Sequence, residues 1–327
     1  MTTAKISAID YYLPENRLSN ENLCEQFPDW SVEKISAKTG ITSRRIATAD
    51  ECSSDLAVQA AEKLFAQGLD RSKIDFLIFC TQSPDYFLPT TACLLQDRLG
   101  IPTSAGALDF NLGCSGYVSG LGLAKGLIES GQASGVLFLT GETYSKFLDP
   151  EDRSVRTVFG DGASATFLTG EESQSTIIGP FIYGTDGSGA KNLIVEGGAF
   201  RDSEGSADPH LRMSGSEIFS FTLKSIPPLV QETLTKAKLE IEDVDWFVFH
   251  QANKFMLEHL RDKIGIPEEK FAIYLDECGN TVSSSIPIAL KELSAAGQFK
   301  PEQKIMLVGF GVGYSWGATI IHWRELS

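Results

Sequence analysis

Ile74-Asp-Phe-Leu-Ile-Phe-Cys80-Thr-Gln82 and Val244-Asp-Trp-Phe-Val-Phe-His250-Gln251 are the stretches whose likeness decides the architecture. Each is an aspartate, an apolar run of strand length and a polar end, and the second follows the first by 170 positions. Asp97-Arg-Leu-Gly-Ile-Pro102 returns 165 positions later as Asp262-Lys-Ile-Gly-Ile-Pro267, and Val136-Leu-Phe-Leu-Thr-Gly141 resembles Ile305-Met-Leu-Val-Gly-Phe310. Three matches in one order at nearly constant offset indicate an internal duplication. Strands alternate with helices in both copies, which predicts two similar α/β halves with parallel sheets covered by helices. The halves run over 1–172 and 173–327 and pack most simply face to face about a pseudo-twofold axis.

Outward from these runs, Lys5–Tyr12 reads as a strand, with helical segments around Asn20–Phe27 and Ser31–Lys38. Ser54–Leu69 is a clearer helix, capped by Ser53 or Ser54, with Leu56, Ala60, Leu64 and Phe65 toward one side. Thr91–Leu99 reads as a helix, Ala105–Leu112 as a buried strand, and Phe159-Gly-Asp-Gly162 as a turn into another strand. Residues 184–215, rich in Gly, Ser and Asp, read as loops with one short strand at Asn192–Val195. A helix follows from near Ser216, where Pro227-Pro228 should kink or interrupt it.

The 327 residues carry a net charge of −15, which argues against nucleic acid as the main partner. No apolar run is long enough to cross a bilayer, and the first residues lack a signal-peptide core. Six cysteines lie scattered without metal-ligand spacing, which points to reduced thiols in the cytoplasm.

Asp109-Phe-Asn-Leu-Gly-Cys114-Ser-Gly-Tyr-Val118 places a cysteine where a strand hands over to a helix. Unpaired N–H groups and the helix dipole there favour a thiolate, and Gly113 and Gly116 allow a sharp turn. This is a nucleophile elbow with sulfur in place of oxygen; the competing reading is a buried core cysteine. The repeat carries Cys114 onto Gly279, beside Asn280, and Cys80 onto His250. All lie at carboxyl ends of strands, where open α/β sheets bind ligands. His250 alone reads first as a satisfied core imidazole, and Asn280 as a helix cap, a ligand-facing amide, or both. His259 and His322 read as structural or exposed, and His210 falls in the loop-rich part. Gly309-Phe-Gly-Val-Gly-Tyr-Ser-Trp-Gly-Ala318 reads as a hairpin turn or as a backbone N–H aimed at an oxyanion.

Gly113-Cys114-Ser-Gly116, His250-Gln-Ala-Asn253, Gly279-Asn280-Thr281, Phe159-Gly-Asp-Gly162, Thr39-Gly40-Ile41 and Gly309–Ala318 together resemble the β-ketoacyl-acyl-carrier-protein synthases of type III, across essentially the whole chain. The resemblance implies the thiolase fold, an α/β architecture layered α-β-α-β-α. It implies an acyltransferase in which Cys114 is acylated by an acyl-CoA. His250 and Asn280 then hydrogen-bond the thioester carbonyl of malonyl-acyl carrier protein while CO₂ departs. The backbone N–H groups of Cys114 and Val312 would form the oxyanion hole. CoA is a substrate, and neither metal nor redox cofactor is implied. Lys38, Arg153, Asn253 and Lys254 stand where the family contacts CoA, pantetheine or the carrier. Leu88 stands where a partner subunit closes the acyl pocket of a homodimer.

The chain departs from the family in several places. Gly311-Val312-Gly313 replaces three consecutive glycines, and Lys34 and Lys38 stand where a Trp and an Arg usually flank the CoA adenine. Phe255 replaces an arginine associated with carrier docking, although Lys254, Arg261, Lys263 and Lys38 would still form a positive rim. Leu88, often Phe, would leave room for a different or longer acyl chain. These departures leave open a related condensing enzyme of a specialised pathway with another donor or acceptor. A Cys–His–Asn cysteine hydrolase is the reading from a different class, and the duplication argues against it.

Overall fold

The computed structural model of the chain describes residues 1–326. Its first half contains β1 (Thr2–Tyr12), β2 (Arg17–Ser19), α1 (Asn20–Gln26), α2 (Val32–Thr39), β3 (Ser43–Arg45), α3 (Ser53–Ala66), β4 (Phe76–Cys80), α4 (Thr91–Arg98), β5 (Gly106–Phe110), α5 (Gly116–Glu129), β6 (Gly135–Glu142), α6 (Arg153–Arg156) and β7 (Gly162–Glu172). There follow β8 (Ile178–Thr185), β9 (Leu193–Val195), β10 (Leu211–Met213), α7 (Gly215–Ala237), β11 (Trp246–Phe249), α8 (Lys254–Ile264), α9 (Ser285–Ala295), β12 (Lys304–Gly311) and β13 (Ser315–His322).

The duplication is visible in the sheets. One has the order β1-β7-β6-β4-β5, the other β8-β13-β12-β11. The place equivalent to β5 is held by a single parallel bridge from Phe247 to Phe271. Helices α3 and α4 cover the outer face of the first sheet, and α7, with α8 packed on it, covers the outer face of the second. Helices α5 and α9 lie between the sheets, which completes five layers.

The apolar runs are continuous because both faces of each sheet are buried. Leu77, Phe79, Leu137 and Leu139 point to the outer core, while Ile78, Val136 and Phe138 point to the central one. The second sheet does the same, with Val248, Ile305 and Leu307 inward and Phe247, Phe249, Met306 and Val308 outward. Phe138 stacks between Phe110 and Tyr117, a burial worth roughly 2–3 kcal/mol. A Cβ on Gly120 of α5 would meet that ring, so α5 approaches the sheet only because glycine stands there.

Four expectations are corrected. The sheets are mixed rather than parallel, because β7 and β13 run against their neighbours. Only a short turn at 312–314 joins β12 to β13, too short for a crossover helix, so they pair antiparallel. Helix α7 runs through Pro227 and Pro228 without interruption. The carbonyls these prolines leave without donors belong to Leu223 and to the exposed Lys224, on the less buried side of the helix. Strand β5 is half-buried, since it is an edge with one side open. In the loop-rich stretch, β9 pairs with a second strand, β10, that composition hides. No helix among the described residues is long and apolar enough to cross a membrane.

Candidate active site

Cys114 follows β5 and stands two residues ahead of α5, whose N-cap is Ser115. A turn closed by Gly116 N–H on the Gly113 carbonyl (2.8 Å) folds it inward, and it is 7% exposed. The second half reaches it through β12. A Cβ on Gly311 would lie 2.9 Å from Cys114 Cβ and 3.1 Å from its sulfur, so only glycine admits this approach. Ser115 and Ser315 hydroxyls join across the halves at 2.7 Å. Val312 lies in the turn after β12 against Gly113, and its carbonyl accepts from the Ser315 hydroxyl at 2.8 Å.

His250 leaves the end of β11 with its backbone N–H on the Val308 carbonyl (2.8 Å) and its ring edge-on to Phe310. Phe310 and Gly311, consecutive on β12, therefore touch His250 and Cys114. Asn280 is stitched to the first half. Its N–H donates to the Val158 carbonyl (2.9 Å), and its own carbonyl accepts from Gly160 N–H (3.0 Å). This explains Phe159-Gly-Asp-Gly162. A Cβ on Gly160 would strike the Cys278 carbonyl, and Asp161 accepts from the N–H groups of Ala47 and Ser145.

Asn280 Oδ1 accepts the Val282 N–H at 2.9 Å. A backbone donor must face the oxygen, so the amide nitrogen points the other way, to 3.4 Å from His250 Nε2. His250 Nδ1 lies 2.8 Å from Ser285 Oγ, which also accepts from Gln251 N–H. Burial lowers the His250 pKa to about 3, with a backbone contact at Val282 opposing, so the imidazole is neutral. Two buried groups able to donate thus face each other.

The thiolate expected at Cys114 is not the resting state. Burial first, then the Glu142 carboxyl, push its pKa up, and its own backbone N–H opposes only in part.

Glu142 is a member of this site that sequence reasoning missed; its one signal is a carboxylate ending the apolar run of β6. It is wholly buried and accepts from Gln82 N–H (3.1 Å) and from the hydroxyls of Ser83 (3.2 Å) and Ser283 (3.0 Å). Burial raises its pKa to about 8 against those hydrogen bonds. The folded state therefore binds this proton more tightly than the unfolded chain. Its stabilising effect is complete below the ordinary carboxylate range and is lost as pH rises toward 8. Glu142→Gln is expected to remove that slope, so the melting temperature of the variant gains on wild type by several degrees between pH 6 and pH 9. A constant difference across that range would refute it.

The four residues named for CoA or carrier contacts gather around α2. Lys38, with Lys34, holds its ammonium over the Trp30 ring. Arg153 lies over Phe27 and 3.7 Å from Asp29 in the same loop. Asn253 caps α8 through Met256 N–H, and Lys254 packs against Gly40, whose φ is +71°. The positive rim is thinner than expected. Arg261 is engaged by Asp262 and Glu268, and Lys254 lies 3.8 Å from Glu258. Phe255 stacks with Phe219 and His259 instead of offering a cation. Of the other histidines, His259 is exposed, His210 pairs with Asp208, and His322 ends β13. Leu88 is 86% exposed. A surface cleft of about 670 Å³ between α2 and α8 is lined by Gly40, Lys254, Glu258 and Tyr274, and holds none of the Cys114, His250 and Asn280 set.

The chain is similar to known proteins over its whole length. Residues 108–187 match the model of 3-oxoacyl-[acyl-carrier-protein] synthase III, and residues 234–323 match the C-terminal model of the same family. The β-ketoacyl-[acyl-carrier-protein] synthase III of Clostridium perfringens is 40% identical over 326 residues, which covers 98% of this chain and 99% of that protein. A crystal structure of a 3-oxoacyl-(acyl-carrier-protein) synthase III superposes with a TM-score of 0.96 at 52% identity, covering 98% of this chain and all of the other. The corresponding synthase from Burkholderia xenovorans superposes at 0.92 with 40% identity, covering all of this chain and 96% of that one. By sequence over its whole length and by fold, this chain belongs to the 3-oxoacyl-[acyl-carrier-protein] synthase III family.

Proposed function

We propose that the protein carries out the condensation that initiates fatty-acid synthesis, joining an acyl group from acyl-CoA to malonyl-acyl carrier protein. The observation that carries the reading is the pairing of the Asn280 amide with the neutral His250 imidazole, 3.4 Å apart. In support, Phe310 meets the His250 ring edge-on, and a Cβ on the next residue, Gly311, would lie 3.1 Å from the Cys114 sulfur.

Cys114 attacks the acyl-CoA carbonyl. A sulfur–carbon bond forms, the thioester bond to CoA breaks, and CoA leaves as the thiol with the proton Cys114 gives up. The backbone N–H groups of Cys114 and Val312 hold the oxyanion. Malonyl-acyl carrier protein then enters, and its thioester carbonyl accepts from His250 Nε2–H and Asn280 Nδ2–H. Ser285, whose oxygen accepts from Gln251 N–H, donates a hydrogen bond from its hydroxyl to Nδ1, which leaves the single ring proton on Nε2. As CO₂ departs, its bonding pair becomes the enolate that these two donors stabilise. The enolate carbon attacks the acyl-cysteine, the carbon–sulfur bond breaks, and the sulfur leaves as a thiolate that takes one proton from solvent, the proton the overall reaction consumes.

A cysteine hydrolase fits the geometry less well. There the asparagine would sit behind the imidazole and orient it, whereas here Asn280 spends its oxygen on Val282 and turns its N–H toward the reacting face. Lys38, Arg153, Asn253 and Lys254 are proposed to hold the CoA or carrier arm. Six free cysteines suit the reducing cytoplasm.

We infer a homodimer from the surface beside β5. Leu88 at 86% and Phe200 at 91% exposure lie with Tyr86 and Phe87 in one apolar patch, with the Phe87 and Phe200 rings 5.8 Å apart. Asp109 of β5 accepts from the N–H groups of Thr91 and Ala92, which ties this loop to the open sheet edge. Light scattering should give twice the chain mass, and Leu88→Asp with Phe87→Asp should shift it to the monomer. A monomeric wild type would refute the dimer.

The function is tested by incubating the protein with acetyl-CoA and reading its intact mass, then adding malonyl-acyl carrier protein. A one-acetyl increase followed by release of 3-oxoacyl-carrier product is expected. No adduct with any acyl-CoA would overturn the reading.

A further inference from the structure

We propose that Glu142 is a positioning residue for the condensation step: by holding Ser283 it fixes the strained turn at Val282 that aims the Asn280 amide. The inference rests on the function proposed above, and it adds a first-half residue to the support of the second-half donor pair.

Val282 is wholly buried and has a φ of +53°, a left-handed backbone that a β-branched side chain rarely adopts. This backbone turns the Val282 N–H onto Asn280 Oδ1 at 2.9 Å, the contact that leaves the amide nitrogen facing His250. A relaxed Val282 would point its N–H elsewhere, and the amide would lose the bond that orients it. Strain of this kind persists only where the flanking segments over-determine it.

Both flanks are held. On one side Asn280 pairs its backbone with Val158 and Gly160 of the first half. On the other, three consecutive serines each spend a hydroxyl differently. Ser283 donates to Glu142 Oε1 at 3.0 Å, Ser284 meets Thr140 Oγ1 at 2.8 Å, and Ser285 meets His250 Nδ1 at 2.8 Å. Thr140 and Glu142 stand two residues apart on β6 and so share a face of the strand. Strand β6 thus grips the segment at two points, and the grip by Glu142 falls on the residue next to the strained one.

The carboxyl can hold Ser283 in either protonation state. Oε2 lies 3.1 Å from the Gln82 nitrogen and 3.2 Å from the Ser83 hydroxyl oxygen. A proton on Oε2 would go to the Ser83 oxygen, and Oε1 would remain an acceptor for Ser283. Without the carboxyl, the Ser283 hydroxyl and the Gln82 N–H would be left buried with no acceptor, which is costly in a dry site. Glu142 therefore acts through Ser283 and Val282, not on the reacting atoms.

The test measures the two half-reactions apart on the full chain. Acylation is read as intact mass with acetyl-CoA, and condensation as 3-oxoacyl product from pre-acylated protein and malonyl-acyl carrier protein. Ser283→Ala and Glu142→Ala should each lower the condensation rate roughly 10–100-fold, the scale on which a misplaced group costs rate, while the acetyl adduct forms as in wild type. The double variant should lose no more than either single one, because both remove the same link. Glu142→Gln keeps an oxygen for Ser283 and should lose less than Glu142→Ala. Should Glu142→Ala not fold, Ser283→Ala and Glu142→Gln decide. Condensation at the wild-type rate in folded Ser283→Ala overturns the inference. So do losses that multiply in the double variant, or an equal fall in both half-reactions, which general loosening would give. Those results leave the function standing on the wild-type adduct and product, whereas a wild type acylated by no CoA ester overturns both.

Discussion

Cys114→Ala is expected to abolish the acyl adduct on the protein and to lower condensation by roughly 10³-fold or more, the scale seen when an attacking group is removed from a site that acts as a unit. The loss should be chemical rather than structural. Cys114 contributes one small side chain to a cluster built mainly of larger groups such as Phe159, Phe221 and Phe310. The cross-half contacts of Ser115 with Ser315 do not use its sulfur. The melting temperature should therefore fall by only a few degrees. Malonyl-acyl carrier protein should still lose CO₂ on the variant, because the two groups proposed to hold its carbonyl lie on the second half. An adduct that persists on the alanine variant would place the nucleophile elsewhere.

Asn280→Ala and His250→Ala are expected to do the reverse, retaining acylation and lowering condensation by roughly 10²–10³-fold each, as when one donor to a developing anion is deleted. Asn280→Asp separates the two tasks of the residue. The aspartate keeps an oxygen for the Val282 N–H, so the loop before α9 is preserved. It offers no N–H to the thioester carbonyl and places negative charge beside the enolate. Condensation should fall at least as far as in the alanine variant while the acyl adduct forms as before. Loss of acylation alone, with decarboxylation intact, would reassign both residues.

Much of the fold was legible because it rests on local pattern. Strands buried on both faces must be apolar throughout, and the runs at Ile74, Val136, Val244 and Ile305 are. Recurrence of these runs in one order reveals the duplication without coordinates. The reacting trio was legible in part for the same reason. Cys114 and Asn280 fall at equivalent junctions of the two copies, and His250 at the end of the run that repeats Ile74–Cys80. What stayed hidden depends on contacts between distant segments. The reversed direction of β7 and β13 follows from how loops close, which apolar spacing does not record. The thiol at Cys114 looked acidic from its position before a helix, and it is shifted upward by burial and by Glu142, 28 positions away. Gln82 and Tyr144, 62 positions apart, are joined only in the fold, where their side chains meet at 2.6 Å.

From the order of residues alone came two α/β halves, a cysteine at a strand-to-helix turn, and an imidazole and an amide held ready in the second copy. Those features are written in hydrophobic period and in residue type, which short segments carry by themselves. Tertiary structure alone decided that the thiol rests protonated, that Glu142 belongs beside it, and that Leu88 faces outward. Solvent exclusion and the approach of charges set these properties, and both arise only when segments far apart in the chain are packed against each other.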